Sequence, residues 1–108
     1  MKKKIIIQIS NNAQKQVKKA IEWNSVKIGN NNAKIVVKSA ISDWQNQMQV
    51  APESGTPTQY IDNQRIRECI KGDYRLTYEI IEENDCFKIT LLIFCHTRQD
   101  YQSLLKLL

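Results

Sequence analysis

The chain has 108 residues, of which 42% are apolar and 25% charged, and its formal net charge is +5. These are ordinary globular values, so they exclude an intrinsically disordered chain beyond the first few residues. A chain of this length folds as one domain over residues 1–108 and buries roughly 60–70% of its unfolded surface without metal or disulfide staples.

The positive charge is unevenly placed. Residues 1–60 carry nine lysines against three acids, whereas residues 61–108 carry seven basic side chains against eight acidic ones. This asymmetry indicates either a basic surface that meets an acidic partner, nucleic acid or protein, or a solvated lysine-rich helix face.

The N-terminus superficially resembles a signal peptide, with lysines at residues 2–4 and isoleucines at residues 5–7. The apolar run breaks at Gln8 and Asn11, short of the roughly 7–15 apolar residues of a signal peptide or the ~20 of a membrane span. We therefore expect neither a leader nor a membrane segment.

The chain has three cysteines, Cys69, Cys86 and Cys95, and one histidine. An odd number of cysteines in predicted strands, without a CxxC spacing, favours reduced structural thiols over a zinc site. We therefore predict a cytoplasmic protein with no metal and no cofactor.

The first half of the chain predicts a strand followed by two helices. Ile5, Ile7 and Ile9 alternate along residues 4–9, and Ser10 is placed to cap the next helix. Gly29 and the asparagines at residues 30–32 separate two helices, which such a short connection makes antiparallel. The apolar stripes are Ala13, Val17, Ala20, Ile21 and Ile28 in the first helix, and Ala33, Val37, Ala40, Ile41, Trp44 and Met48 in the second. We interpret Trp44 and Trp23 as core or helix-pair contacts rather than ligand platforms.

The second half predicts three antiparallel strands. Alternation over residues 74–81 and 87–95, with a loop at 82–85, predicts that Tyr78 faces Ile89 and that Glu79 faces Lys88. A three-residue turn at residues 71–73 would place Arg65, Arg67 and Cys69 with Arg75 on the outer face. It would also point Glu68 inward, unless a bulge near Cys69 relieves that position.

These elements predict an α+β domain. An N-terminal strand, an antiparallel two-helix hairpin and a three-stranded antiparallel meander form one four-stranded sheet with helices on one face. The other face is expected to be only partly covered. Residues after Tyr101 predict a short terminal helix or an apolar tail.

Three motifs point to a family. They are Pro-x-x-Gly-x-Pro (Pro52, Gly55, Pro57), Gly-Asp-Tyr-Arg-Leu-x-Tyr (residues 72–78) and His-Thr-Arg-Gln-Asp (residues 96–100). With the order of elements, they make the chain resemble the RelE/ParE superfamily of toxins from bacterial type II toxin-antitoxin modules. The resemblance spans nearly the whole chain.

The resemblance implies a small cytoplasmic growth-inhibiting toxin, of the kind associated with plasmid stabilisation, neutralised by a cognate antitoxin. ParE-like members poison DNA gyrase, while RelE-like members cut messenger RNA on the ribosome. The long helical hairpin and the lack of a clear lysine base favour the ParE-like function, with the RelE-like ribonuclease as the alternative. Both a homodimer and a toxin–antitoxin hetero-oligomer are compatible with the sequence.

The ribonuclease alternative would use specific residues. By resemblance, Arg75 and Arg98 would stabilise the phosphate, Tyr101 would match a terminal tyrosine, and His96 would act as general acid or base. Arg65 and Arg67 fall near a pair of lysines that RelE-like toxins use on RNA, although arginine is the poorer proton acceptor. Each of these residues also has a purely structural interpretation, such as an Arg65–Glu79 pair. A plain nucleic-acid-binding module using the lysine-rich helices is the third and least supported hypothesis.

Overall fold

A five-stranded sheet with two long helices on one face forms the core of the computed structural model, which describes residues 4–58, 61 and 63–106. In chain order the elements are β1 (Lys4–Ile9), α1 (Asn11–Ile28), α2 (Asn30–Val50), β2 (Thr56–Pro57), β3 (Ile66–Lys71), β4 (Tyr74–Glu82), β5 (Cys86–His96) and α3 (Tyr101–Leu105). The strand order is β1-β5-β4-β3-β2. β1 runs parallel to β5 and the other neighbours are antiparallel. The predicted α+β class is confirmed, with the short β2 as an additional strand.

The helical hairpin follows the predicted caps. The Ser10 side chain accepts from the Ala13 N–H at 3.1 Å, which satisfies one of the free amides of the first turn of α1. Gly29, at φ +86°, is the single residue between α1 and α2, a left-handed backbone that favours glycine. The hairpin is therefore determined by local sequence at both of these points.

The core lies between the hairpin and the sheet. Trp44 is fully buried and packs on Tyr78 with ring centroids 5.8 Å apart. Val37 and Met48 of α2 are also fully buried, as the predicted stripe requires. Burial of each such side chain contributes about 1.5–3 kcal/mol. α2 thus supplies most of the helical side of the core.

The pairing of β4 with β5 differs from the predicted register. Tyr78 lies opposite Leu91 rather than Ile89, and Glu79 lies opposite Thr90 rather than Lys88. The last pair is Glu82 with Phe87, so the residues between the paired positions are 83–86 instead of the expected 82–85. A shift of two residues leaves the same side chains on the same face, so the hydrophobic pattern does not distinguish the two registers.

A β-bulge then reverses the faces of the end of β5. Thr77 pairs with Ile93 and Tyr78 with Leu91, so Leu92 is the extra residue. Beyond it, Phe94 packs into the core beneath the helices. Ile93 and Cys95, which unbroken alternation would place there, form a second cluster with α3 on the other face.

The β3–β4 turn is also shorter than predicted. Lys71 pairs with Tyr74, leaving a two-residue loop in which Gly72 has φ +60°, as a type II′ turn requires at its first position. This one-residue slip moves Arg67 and Cys69 to the helix side. It places Glu68 opposite Thr77, so the expected inward-pointing Glu68 was wrong.

The loop with the Pro-x-x-Gly-x-Pro motif is fastened to the sheet. The Tyr78 hydroxyl accepts from the Gly55 N–H at 3.0 Å, and the Arg67 guanidinium donates to the Gly55 carbonyl at 2.9 Å. Thr56 and Pro57 then pair with β3. A side chain at Gly55 would collide with the Tyr78 hydroxyl, which explains glycine at this position.

The three cysteines are free, and burial raises the pKa of Cys69 and of Cys95 to about 11. Both thiols therefore stay protonated at neutral pH, as expected of structural cysteines. Within the described ranges, no helix combines the length and the apolar character needed to cross a membrane.

We expect Gly55→Ala to lower the free energy of unfolding by about 1–3 kcal/mol, since the added methyl group meets the Tyr78 hydroxyl. Urea unfolding of Gly55→Ala, Tyr78→Phe and the double variant measures this directly. Removal of the hydroxyl should relieve part of the collision, although the ring carbon Cζ of residue 78 would still lie 2.8 Å from the added methyl group. The double variant should therefore lose less than the two single losses added together. If the two single losses simply add, a collision with the Tyr78 side chain is not the cause of the destabilisation by Gly55→Ala.

Candidate functional site

A cleft of about 1100 Å³ opens between α1 and the end of β5. It exists because β1 pairs with β5 only as far as Leu91, and no other strand among the described residues pairs with residues 92–96 on that side. The side chains that give the cleft its chemistry are four cations, one carboxylate and four aromatic rings: Lys15, Lys19, Lys27, Arg98, Glu22, Trp23, Tyr74, Phe94 and His96.

One row along α1 forms the basic wall of the cleft. Lys15, Lys19, Trp23 and Lys27 are spaced four residues apart, and all four line it. Side chains at this spacing lie above one another on one helix face. This four-residue spacing is visible in the sequence. Trp23 also lies beside the apolar stripe of α1, and for that reason the prediction placed it in the core.

Trp23 is 54% exposed, so its predicted role as a core or helix-pair contact was wrong. Its ring lies edge-on to His96, with centroids 5.8 Å apart, and the Lys27 ammonium lies 4.2 Å above it. Tyr74 stacks on Phe94 at 4.8 Å and meets His96 edge-on. Beneath the cleft lie the buried rings of Tyr74 and Phe94, and the exposed Trp23 ring with its Lys27 cation–π contact forms part of the wall.

His96 is oriented by its own loop. Its Nδ1 accepts from the Arg98 N–H at 3.1 Å, so the neutral ring carries its proton on Nε2. Its backbone N–H donates to the Gln99 side chain at 2.8 Å. His96 and Arg98, two of the predicted catalytic residues, thus share the cleft.

The other two predicted catalytic residues lie on the opposite face of the sheet, under α3. The Arg75 guanidinium stacks on the Tyr101 ring at 4.3 Å, and the Tyr101 hydroxyl is hydrogen-bonded to Thr77. Tyr101 is only 6% exposed, and burial raises its pKa to about 12. At neutral pH it is a protonated phenol in a packed cluster.

The two predicted phosphate-binding arginines, Arg65 and Arg67, lie in different surroundings. The Arg67 guanidinium donates to the carbonyls of Gly55 and Glu53, so its hydrogen bonds hold the loop before β2. Arg65 is exposed just before β3, and its carbonyl accepts from the Ile80 N–H at 2.8 Å. Neither lines the cleft.

The side chains that line the cleft are suited to recognition of a partner. Within the part of the chain that the structure describes, no group of three or more His, Cys, Asp or Glu side chains could hold a metal ion. The cleft combines cations, stacking surfaces and side-chain amides, which suit an acidic partner with apolar or aromatic anchors.

This sequence and this architecture are similar to those of known proteins. Residues 7–101 match the family model described as the ParE toxin of the type II toxin-antitoxin system parDE. The chain belongs to the ParE toxin family. No curated protein matches the sequence significantly.

A solved structure shares the fold of this ParE-family toxin. A chain of the "Chromosomal ParDE TA system from P. aeruginosa" superposes with a TM-score of 0.63 at 13% identity, covering 85% of this chain and 95% of that one. The predicted superfamily and the ParE-like toxin function are confirmed by the family match. Membership in a toxin-antitoxin family also implies a cognate antitoxin as partner.

The buried Tyr101 makes stability depend on pH in the alkaline range. Its folded pKa of about 12 lies above the value of about 10 for a free tyrosine, so its contribution to stability is complete below pH 10 and is lost as the pH rises through about 12. We expect Tyr101→Phe to abolish the highest-pH step in the tyrosinate absorbance titration. It should also flatten the fall in unfolding free energy between about pH 10 and 12, which is on the order of 2–3 kcal/mol. Survival of the step near pH 12 in Tyr101→Phe would contradict its assignment to Tyr101.

Proposed function

We propose that this ParE-family toxin arrests growth in the cytoplasm by binding DNA gyrase, rather than by cutting messenger RNA. The observation that carries the proposal is the separation of the predicted catalytic residues. Arg75 and Tyr101 pack together under α3, whereas His96 and Arg98 line the cleft beside α1. A single scissile phosphate would need these groups around it.

The chemistry of RNA cleavage supports the same conclusion. Attack by the 2′-hydroxyl requires a group that takes its proton and cations that hold the developing charge. Tyr101 is buried with a raised pKa, and arginine does not release its proton at neutral pH. His96 is the one imidazole of the predicted set, and its Nδ1 already accepts from the Arg98 N–H.

The exposed tip of the helical hairpin is the surface that we assign to the target. We define the hairpin tip as residues 23–36, which hold five exposed large apolar side chains: Trp23, Val26, Ile28, Ile35 and Val36. Lys27 and Lys34 lie among them. Apolar side chains held at the surface in this way mark interaction sites, and flanking lysines favour a partner with acidic groups at the rim.

Induced expression should produce cleaved-DNA complexes of gyrase and DNA-damage signalling, because a bound toxin traps the enzyme without chemistry of its own. The measurement is detection of gyrase-linked DNA breaks in parallel with mapping of message ends. Arg75→Ala and Arg98→Ala should each still arrest growth. Loss of a catalytic group would instead lower the rate of cleavage roughly 10²–10³-fold. Cuts inside codons with intact DNA would instead establish the RelE-like ribonuclease.

The hairpin tip can be tested with a matched control on the same hairpin. Val26 is 87% exposed at the tip and Val50 is 86% exposed at the far end of α2. We expect Val26→Ser with Ile35→Ser to lose at least tenfold in gyrase affinity, since central apolar anchors contribute about 2 kcal/mol or more to binding. Val50→Ser should leave gyrase affinity and growth arrest unchanged. Equal effects from the two changes would exclude the tip as the contact.

A further inference from the structure

The helical hairpin carries a cluster of lysines that the protein itself does not neutralise. Residues 11–50 hold six lysines against two acids, Glu22 and Asp43. All six lysines are exposed, and none of them forms a salt bridge to another described residue. The hairpin therefore presents a net positive surface to any partner that approaches it.

Four of these lysines lie at a similar level of the hairpin, away from its tip. Lys15, Lys18 and Lys19 are three and four residues apart on α1, so their side chains are neighbours on the helix surface. Lys19 lies ten residues before Gly29 and Lys38 lies nine after it, which places both at about the same height in two antiparallel helices. Packed helices have axes ~8–10 Å apart. We call Lys15, Lys18, Lys19 and Lys38 the lysine patch.

The composition around the lysine patch differs from that of the hairpin tip. The exposed large apolar side chains of the hairpin lie in the tip or, as Val50, at the far end of α2. Exposed positions of α2 at the level of the patch include Ser39, Ser42 and Asn46. Lysine is depleted at protein–protein interfaces, whereas protein–DNA interfaces are polar and strongly positive. Hydroxyl and amide side chains also donate to phosphate oxygens. The patch therefore fits a nucleic-acid backbone better than a protein.

We propose that the lysine patch binds the phosphate backbone of the DNA that gyrase holds. The inference rests on the proposed function and adds a second contact to it. The hairpin tip would contact the enzyme and the patch would contact the duplex, so the toxin would bind the gyrase–DNA complex more tightly than gyrase alone. A ligand shifts an equilibrium only by its differential affinity for the two states. This second contact is therefore what would favour the DNA-bound state.

The spacing of the lysines matches a regular line of charges. Lys15 and Lys19 are separated by about 6 Å along the axis of α1, since an α-helix rises 1.5 Å per residue. A DNA strand presents one phosphate about every 3.4 Å along its axis, so each lysine has a phosphate within reach. Contacts to phosphates do not depend on base sequence. Four of them give a slope of about −3.6 in log K against log salt concentration.

Salt-dependent binding of a short random-sequence DNA duplex to the purified toxin tests the patch. Lys18→Gln with Lys38→Gln should reduce the slope by about 2, because two phosphate contacts are lost. Neither residue lines the cleft, so the change leaves the cleft intact. Lys18→Arg with Lys38→Arg should keep the slope, since arginine stays charged.

A matched control removes the same charge from the other face of the sheet. Lys88 alternates with the core residue Ile89 along β5, and Lys106 follows α3. Lys88→Gln with Lys106→Gln should leave the slope for the duplex unchanged. An equal reduction in both double variants would show an effect of net charge alone and would overturn the proposal.

The affinity of the toxin for gyrase, with and without bound duplex, tests the double contact. The unaltered toxin should bind the gyrase–DNA complex at least about tenfold more tightly than gyrase alone, because its two contacts act together. Lys18→Gln with Lys38→Gln should lose this gain and keep the affinity for gyrase alone. Val26→Ser with Ile35→Ser should lose affinity for gyrase and keep the affinity for the free duplex.

The remaining outcomes separate this inference from the proposed function. Absence of duplex binding by the unaltered toxin, or an unchanged slope in Lys18→Gln with Lys38→Gln, overturns the DNA contact while gyrase inhibition stands. A larger loss of affinity for the antitoxin than for the duplex in that variant overturns it in favour of an acidic protein. Salt-dependent duplex binding through the patch without gyrase trapping rejects the target and keeps the DNA contact.

Discussion

The early departure of β1 from the sheet is the constraint on which the site depends. β1 has six residues and β5 has eleven, and the backbone N–H of Ser10 makes the last contact of β1 with the Leu91 carbonyl at 2.9 Å. Ser10 also caps α1, so the chain turns away from β5 as soon as it enters the helix. The rest of β5 faces α1 instead of another strand. The basic row of α1 therefore forms one side of the cleft, and the end of β5 forms the other.

The bulge at Leu92 decides which side chains enter that gap. The extra residue turns Phe94 and His96 toward α1. Ile93 and Cys95 then pack in the cluster under α3. Arg75 follows the unbroken alternation of β4 and stays on the α3 side with Tyr101, away from His96. A residue pair that looks close along a predicted meander can thus lie on opposite faces, since side-chain direction alternates with every position. The predicted catalytic groups are therefore divided between the two faces of the sheet.

The sequence predicted those features that local patterns determine and missed those set by pairing between distant residues. Ser10, Gly29 and the stripe through Trp44 identify the hairpin because caps and helical periodicity involve neighbours in the chain. The β4–β5 register depends on a loop end and a bulge, and the alternation of Tyr78 and Leu91 is the same in both registers. For the site, His96 and Arg98 were predicted, and the structure places both in the cleft. Trp23 was missed because the row that contains it runs beside the core stripe, and only the position of β5 shows which helix face stays open.

The geometry also bears on how neutralisation acts. Trp23 and Lys27 belong both to the cleft and to the hairpin tip, since they lie in the last turns of α1. A partner that fills the cleft would contact Trp23 and Lys27 and would cover part of the surface that we propose for gyrase, so the two partners would compete directly. Competition needs no change of shape in the toxin. The fraction of free toxin then follows from the antitoxin's concentration relative to its dissociation constant, because a bound partner removes the competent surface by mass action.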